Sequence, residues 1–226
     1  MDVPMIPAPF RYPFRSDRGV DTLLIGGGLH LAAVYLPVVP LIVVAGYLLT
    51  VLAETARRDR LTRFESLPAF EDVLSMTRLG LGGSAIIVAF LLPAGGMLLI
   101  TVFGITNRAP TPTAVDFGTS LGFVAGSTAS LLLALSVLYV LPAALVSYGS
   151  RGRLRAAFDP QVLVTAATDG AYFYNVIVGL VVGSLLLTLA GGLVDVVVGF
   201  FLAFYAELVM VGYWSRGASQ ALPSDT

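Results

Sequence analysis

Residues 79–105, LGLGGSAIIVAFLLPAGGMLLITVFGI, contain no charged side chain. A helix needs about 20 apolar residues to cross the hydrocarbon core of a bilayer, so this stretch is long enough to span a membrane. The whole chain has the same character, with 57% hydrophobic residues, 12% charged residues and a mean hydropathy of +0.88. A soluble domain carries about a quarter charged residues. The composition therefore predicts an all-α, polytopic membrane helical bundle without a separate globular module.

Apolar stretches on both sides of this one predict five further membrane segments. Together they form a single transmembrane domain over residues 19–214, and its six segments cover about 19–36, 38–56, 79–105, 117–148, 171–190 and 194–214. Residues 106–116 are predicted to form an external loop, and residues 215–226 a polar, disordered tail. Residues 1–18 alternate aromatic and arginine side chains, which suit the headgroup region, and predict an interfacial segment that is not helical.

The apolar stretch 19–56 is 38 residues long and has Pro37 and Pro40 in its middle. Proline removes a backbone donor and disfavours helix in the residue before it. The stretch is therefore either one long kinked helix or two short helices that form a hairpin. Because arginines flank both ends, both ends should lie on the same side, which favours the hairpin or a re-entrant loop.

The basic residues indicate the topology. All thirteen are arginines. Twelve cluster before, between or after the apolar stretches, at positions 11, 15, 18, 57, 58, 60, 63, 78, 151, 153, 155 and 216, and only Arg108 falls elsewhere, in the predicted external loop. Short basic loops stay in the cytoplasm, so both termini of this multi-pass protein are expected there, with the plasma membrane as its location. The arginine linkers should contact the lipid bilayer at anionic headgroups. The net charge of −1 gives no general attraction to nucleic acid.

Two short amphipathic helices are expected on the membrane surface. In the first linker, Ser66-Leu67-Pro68 is typical of a helix start, and the residues up to Thr77 have one apolar side. In the second linker, Asp159-Pro160 is typical of an N-cap followed by the first helical position, and this helix should run to about Thr168.

Small residues recur at a spacing of four in three of the segments. Such ridges let helix backbones approach closely in lipid. They comprise Gly118, Gly122 and Gly126, continued by Ser130 and Ala134; Gly179 and Gly183; and Gly199, continued by Ala203. Packing within one chain is one interpretation, and self-association into a homo-oligomer is the other.

The ionisable residues expected to be buried in the bundle are His30, Glu54, Asp195 and Glu207. Glu54 should pair with Arg58 one helical turn away, and Asp195 should serve as a helix N-terminal residue. His30 stands alone in its segment, where a hydrogen bond between helices and a ligand role are both open. Glu207 follows the Gly199–Ala203 ridge into the bundle, where a carboxylate must be protonated, paired or hydrated.

No set of residues predicts catalysis, a metal site or a cofactor. The chain has no cysteine, and two zinc ligands at helical spacing are absent. Asp195 and Glu207 lie ~18 Å apart along one helix and cannot act on one bond.

Several short motifs are similar to those of a known family. They are FRYPFR at 10–15, TLLIGG at 22–27, GYLL at 46–49, LPAFED at 67–72, LPAAL at 141–145, AFD at 157–159 and YWSRG at 213–217. Over nearly its whole length the chain resembles a family of archaeal multi-spanning membrane proteins, the domain of unknown function number 4013. Val73 departs from the pattern, since an aromatic residue is expected after Asp72. The resemblance implies no established activity and assigns no functional residues.

The leading functional hypothesis is a non-enzymatic membrane protein that binds or moves a small solute or ion, with Glu207 and His30 on the path. The alternative is a structural or assembly protein that packs with partners through the glycine ridges, and a membrane-embedded enzyme is third. A polar cavity at Glu207 would favour the first hypothesis, and an exposed glycine ridge the second. An enzyme would need a second acid or nucleophile within hydrogen-bond reach of Glu207 or His30.

Overall fold

A computed structural model describes residues 7–15, 18–58, 63–70, 72–106 and 117–222. The α-helices are α1 (Ala8–Arg11), α2 (Gly19–Ala32), α3 (Val39–Arg57), α4 (Val73–Thr106), α5 (Phe117–Arg151), α6 (Pro160–Thr168), α7 (Gly170–Gly191) and α8 (Val198–Ala221). Short 3-10 helices cover Tyr12–Phe14, Leu154–Phe158 and Val194–Val196. No strand occurs among these residues, so the all-α prediction is confirmed. The predicted external loop lies, apart from Thr106, outside the described residues.

Five of the helices are long and apolar enough to cross a membrane. Their candidate spans are Val39–Arg57, Val73–Gly104, Ser120–Arg151, Gly170–Gly191 and Val198–Ala221. The predicted count of six is close, and α2 accounts for the difference. With 14 residues, α2 is ~21 Å long, less than the ~30 Å of a bilayer core.

A break between α2 and α3 excludes the single kinked helix over residues 19–56. The chain leaves the helix after Ala32, forms turns over residues 33–38 and resumes as α3 at Val39. Pro37 lies in the break, where its ring disfavours helical backbone in the preceding residue. Pro40 is tolerated in the first turn of α3, where no helical partner is needed for its missing N–H.

Helices α3 and α8 form the centre of the bundle. Helix α8 packs against α2, α3 and α7, and α3 also packs against α4 and α5. In the most apolar part of α3 and of α8, 56% of the residues are buried inside the protein, whereas the same share in α4 is 11%. The outward faces of α4, α5 and α7 are apolar, and residues such as Leu92, Ile100, Leu132 and Leu185 are more than half exposed. Only lipid solvates such a surface, so the fold is that of a multi-pass membrane protein.

The first of the two predicted surface helices is wrong, and the second is confirmed. Residues 66–69 have no regular secondary structure, and α4 begins at Val73, where Asp72 Oδ1 accepts from the Ser75 N–H at 3.0 Å. Another element holds this backbone, because the carbonyl of Pro68 accepts from the Tyr47 hydroxyl at 3.1 Å. In the second linker α6 runs from Pro160 to Thr168, with the Asp159 side chain accepting from the Gln161 N–H.

Both chain ends are more structured than the sequence suggests. Residues 8–14 are helical, and Tyr12 is fully buried, so a non-helical segment is wrong there. Helix α8 continues to Ala221 with Ser215 and Ala218 buried, so the expected disorder is wrong for this part of the tail. Small residues explain the extension, since a Cβ on Gly217 would lie 3.1 Å from Asn175 on α7.

Candidate functional site

His30 and Glu207, which are 177 residues apart in sequence, meet inside the bundle. His30 Nε2 lies 3.3 Å from Glu207 Oε1. Glu207 is near the middle of α8, ~14 Å along the axis from Val198 and ~21 Å from Ala221. A carboxylate at this position needs a partner, and His30 is that partner.

Two glycines bring α2 close enough to α8 for this contact. A Cβ on Gly26 would overlap the ring of Phe204, and a Cβ on Gly27 would overlap that of Phe201. Thr22, Gly26 and His30 follow one another at a spacing of four, so they share a face of α2. This spacing is visible in the sequence.

The main chain of α2 orients the imidazole. His30 Nδ1 is 2.9 Å from the Gly26 carbonyl oxygen. A carbonyl only accepts, so this bond places a proton on Nδ1 and leaves Nε2 to face Glu207. Nε2 then either accepts from a protonated Glu207 or, in the imidazolium, donates to the carboxylate. In both arrangements the pair shares one proton between Nε2 and Oε1 and has no net charge.

The second carboxyl oxygen of Glu207 is buried and has no hydrogen-bond partner among the described residues. The side chains of His30 and Glu207 are 12% and 23% exposed. The ring of Phe204 is centred 6.0 Å from that of His30 and is itself fully buried. The pair therefore offers one unused acceptor oxygen in mostly apolar surroundings.

Tyr47, a fully buried residue of α3, has a structural role. Its hydroxyl donates to the Pro68 carbonyl, and its ring stacks on Phe70 at 4.4 Å between centroids. These two contacts attach the segment around Pro68 and Phe70 to α3.

A second buried tyrosine, Tyr12, attaches the N-terminal segment to α3, and no local pattern in the sequence predicts this contact. The Tyr12 hydroxyl lies 2.9 Å from Thr55 Oγ1 on α3 and also donates to the Ser66 carbonyl at 3.3 Å. Burial raises the pKa of the Tyr12 phenol, which therefore stays neutral. Arg58 donates to the same carbonyl.

Glu54 and Asp195 take no part in the His30–Glu207 contact. Glu54 Oε2 lies 3.4 Å from Arg58 Nη2, so the predicted ion pair is present. Asp195 is exposed in the Val194–Val196 turn, three residues before α8. No group of three or more His, Asp or Glu side chains that could hold a metal ion occurs in the described part of the chain.

The glycine ridges differ along their length. Gly179 and Gly183 of α7 face α8, where a Cβ would lie 3.0 Å from Trp214 and 2.9 Å from Met210 respectively. A Cβ on Gly199 would overlap the Ala190 carbonyl, and one on Gly126 would overlap Thr101 of α4. Gly118 and Gly122 are exposed at the N-terminal end of α5. Only part of the α5 ridge is thus used within the chain.

The second arginine linker folds into an open concavity. Arg151 Nη1 lies 3.2 Å from Asp159 Oδ2, and this bond holds the pKa of the Asp159 carboxyl below its ordinary value. Arg153 and Arg155 line the same concavity.

The fold and these contacts define a polytopic helical membrane protein with a partly buried imidazole–carboxyl pair. A family model described as a protein of unknown function (DUF4013) matches residues 29–204. The chain therefore belongs to the DUF4013 family. His30 lies within the matched range, and Glu207 lies three residues beyond it. No curated protein and no solved structure matches the chain.

Proposed function

We propose that this protein binds and moves a proton at the His30–Glu207 pair within the membrane. The observation that carries the proposal is the contact of 3.3 Å between His30 Nε2 and Glu207 Oε1. An ionisable pair inside a membrane bundle is costly to maintain, and such residues generally mark ion pathways.

The geometry favours a proton over a larger ion. At 3.3 Å, Nε2 and Oε1 have no room for a metal ion between them. Nδ1 is occupied by the Gly26 carbonyl. A proton needs only the lone pairs already facing each other, and the unused Oε2 of Glu207 provides a second acceptor from which it can leave.

Proton flux into proteoliposomes tests the proposal directly. With a membrane potential imposed, the purified protein should acidify or alkalinise the lumen, as reported by an enclosed pH-sensitive dye. Glu207→Gln and His30→Gln should each abolish the flux, because neither amide exchanges a proton at neutral pH. Glu54→Gln is the matched control, since it removes a carboxylate that is paired with Arg58 at the end of α3.

A binding measurement separates folding from function. The chain contains one histidine, so the imidazole ¹⁵N signals of the labelled protein in detergent belong to His30. The signals should change with pH along a different curve in Glu207→Gln than in wild type. Identical curves, or proton flux that survives in Glu207→Gln, would overturn the proposal.

Assembly through α5 is the second candidate function, because Gly118 and Gly122 are exposed. Nothing lies within 4 Å of a Cβ built on Gly122. Gly122→Leu should therefore leave the monomer folded and lower the oligomer fraction measured by cross-linking in membranes. An unchanged fraction removes this candidate.

The orientation that we propose follows from the arginines, with both termini in the cytoplasm and the plasma membrane as the location. Single cysteines can be placed without background, since the chain has none. Cysteines at positions 153 and 220 should react only with reagent on the cytoplasmic side, and one at position 111 only from outside. The archaeal source implied by the resemblance stays an expectation.

A further inference from the structure

The linker between α5 and α6 forms a basic concavity of about 780 Å³. Three arginines line it together with Phe158, Asp159 and Pro160. Arg151 is the last residue of α5, and the 3-10 helix Leu154–Phe158 turns the chain back towards it. The fold therefore gathers three guanidinium groups from five consecutive residues around one open space.

The charge of this concavity is positive. One carboxylate, that of Asp159, lines it, and this group is bound by Arg151 at 3.2 Å and by the Gln161 N–H at 3.1 Å. Arg153 and Arg155 make no ion pair with any residue that the structure describes. Both are exposed, so their donors are accessible to a ligand that enters the concavity.

Apolar side chains flank the arginines. Leu154, between Arg153 and Arg155, is 49% exposed, and Phe158 is 47% exposed. The ring of Phe158 stacks on Phe90 of the apolar helix α4, with centroids 5.0 Å apart. Guanidinium groups next to exposed apolar side chains suit a ligand with a phosphate at one end and hydrocarbon at the other.

We propose that the concavity binds the phosphate of an anionic lipid headgroup, with Arg153 and Arg155 as its principal ligands. Arginine presents several N–H donors in a planar fork that matches phosphate oxygens. Arg151 stays paired with Asp159 and completes the positive wall. The site is separate from the His30–Glu207 pair, and its occupation does not depend on the proton function.

Thermal stabilisation of the full-length protein in detergent measures this binding, because a ligand of the folded state raises its stability. Short-chain phosphatidylglycerol should stabilise the protein at lower concentration than phosphatidylcholine of the same chain length. The double variant Arg153→Gln/Arg155→Gln should weaken the apparent affinity for phosphatidylglycerol roughly 25-fold, at about fivefold for each arginine near the surface.

Two controls distinguish this site from general charge and from free phosphate. Arg57→Gln/Arg216→Gln removes two exposed arginines elsewhere and should change the affinity little. Equal weakening in both double variants would overturn the proposal, since it would show diffuse attraction. Inorganic phosphate tested alone should give no comparable stabilisation. If phosphate stabilised the wild type as strongly as the lipid did, and the Arg153/Arg155 variant abolished this, the site would hold a soluble anion and the lipid assignment would be wrong.

Discussion

The Tyr172 hydroxyl is inserted into the backbone of α5, and removing it should destabilise the protein. It accepts from the Ala143 N–H at 3.0 Å and donates to the Tyr139 carbonyl at 2.9 Å. These two backbone groups, four residues apart, would pair directly in a regular helix. Pro142 lies between them, and a proline inside a helix distorts the hydrogen-bond ladder around it. Tyr172, which is fully buried, bridges the two groups.

Tyr172→Phe keeps the ring and deletes only the oxygen. The Ala143 donor and the Tyr139 acceptor then lose a partner in a buried site. A buried group left unsatisfied costs about 1–3 kcal/mol, and a hydrogen bond between membrane helices contributes about 0.6–2 kcal/mol. We therefore expect the free energy of unfolding to fall by about 1–3 kcal/mol. It can be measured by SDS titration in mixed micelles, followed by circular dichroism.

Tyr174→Phe is the matched control, since Tyr174 lies on the same helix and is 65% exposed. Its change should stay within about 0.5 kcal/mol. Pro142→Ala restores the missing N–H and lets α5 straighten, so the effect of Tyr172→Phe should be smaller in that background. A Tyr172→Phe effect as small as that of Tyr174→Phe, or one that Pro142→Ala leaves unaltered, would refute the bridging role.

Three further variants test the packing and the electrostatics. Gly46→Ala should destabilise the protein by about 1–3 kcal/mol in the same titration, because the new Cβ would overlap the Met76 carbonyl of α4. Gly28→Ala is its control and should be neutral, because the new Cβ would meet open space. Gly126→Leu should lower stability through Thr101 whereas Gly122→Leu should not, and equal effects would show that the α4–α5 contact is misplaced. Arg151 lowers the pKa of the Asp159 carboxyl. The ionised carboxyl therefore stabilises the fold above its unfolded pKa of about 3.9, and this contribution disappears as the pH falls through the lower folded value. Unfolding curves from pH 5 to 2 should show that Asp159→Asn loses this acid-dependent step while Asp195→Asn keeps it.

Sequence periodicity and proline positions predicted the helices well, because lipid leaves a spanning backbone few alternatives. The end of α6 at Thr168 followed from local chemistry, and the break at Pro37 followed from the prolines together with the arginines that flank the stretch. The wrong surface helix has a different cause. Residues 66–69 stay outside any helix because Tyr12 and Tyr47, from other elements, donate to the carbonyls of Ser66 and Pro68. No local pattern contains this information.

The candidate site was predictable residue by residue but not as a pair. Glu207 was identified by its place on a ridge of small residues, and His30 by its isolation in an apolar segment. Their contact depends on the crossing of α2 and α8, which Gly26 and Gly27 set through Phe204 and Phe201. Several crossings of six helices would satisfy the same apolar pattern, so only the structure selects the one that joins the acid to the histidine.

The N-terminal segment connects α8, the helix that carries Glu207, to α3. Tyr205, two residues before Glu207 on α8, donates from its hydroxyl to the Phe10 carbonyl at 3.0 Å. Tyr12, two residues after Phe10, is held by Thr55 of α3. A rotation of α8 that turned Glu207 away from His30 would also move Tyr205 and strain this connection to α3. Because the segment is short and Tyr12 is fully buried, it resists that rotation. Under the proton movement that we propose, the proton would leave the pair by a local side-chain movement of Glu207, or after the N-terminal segment has been released from α8.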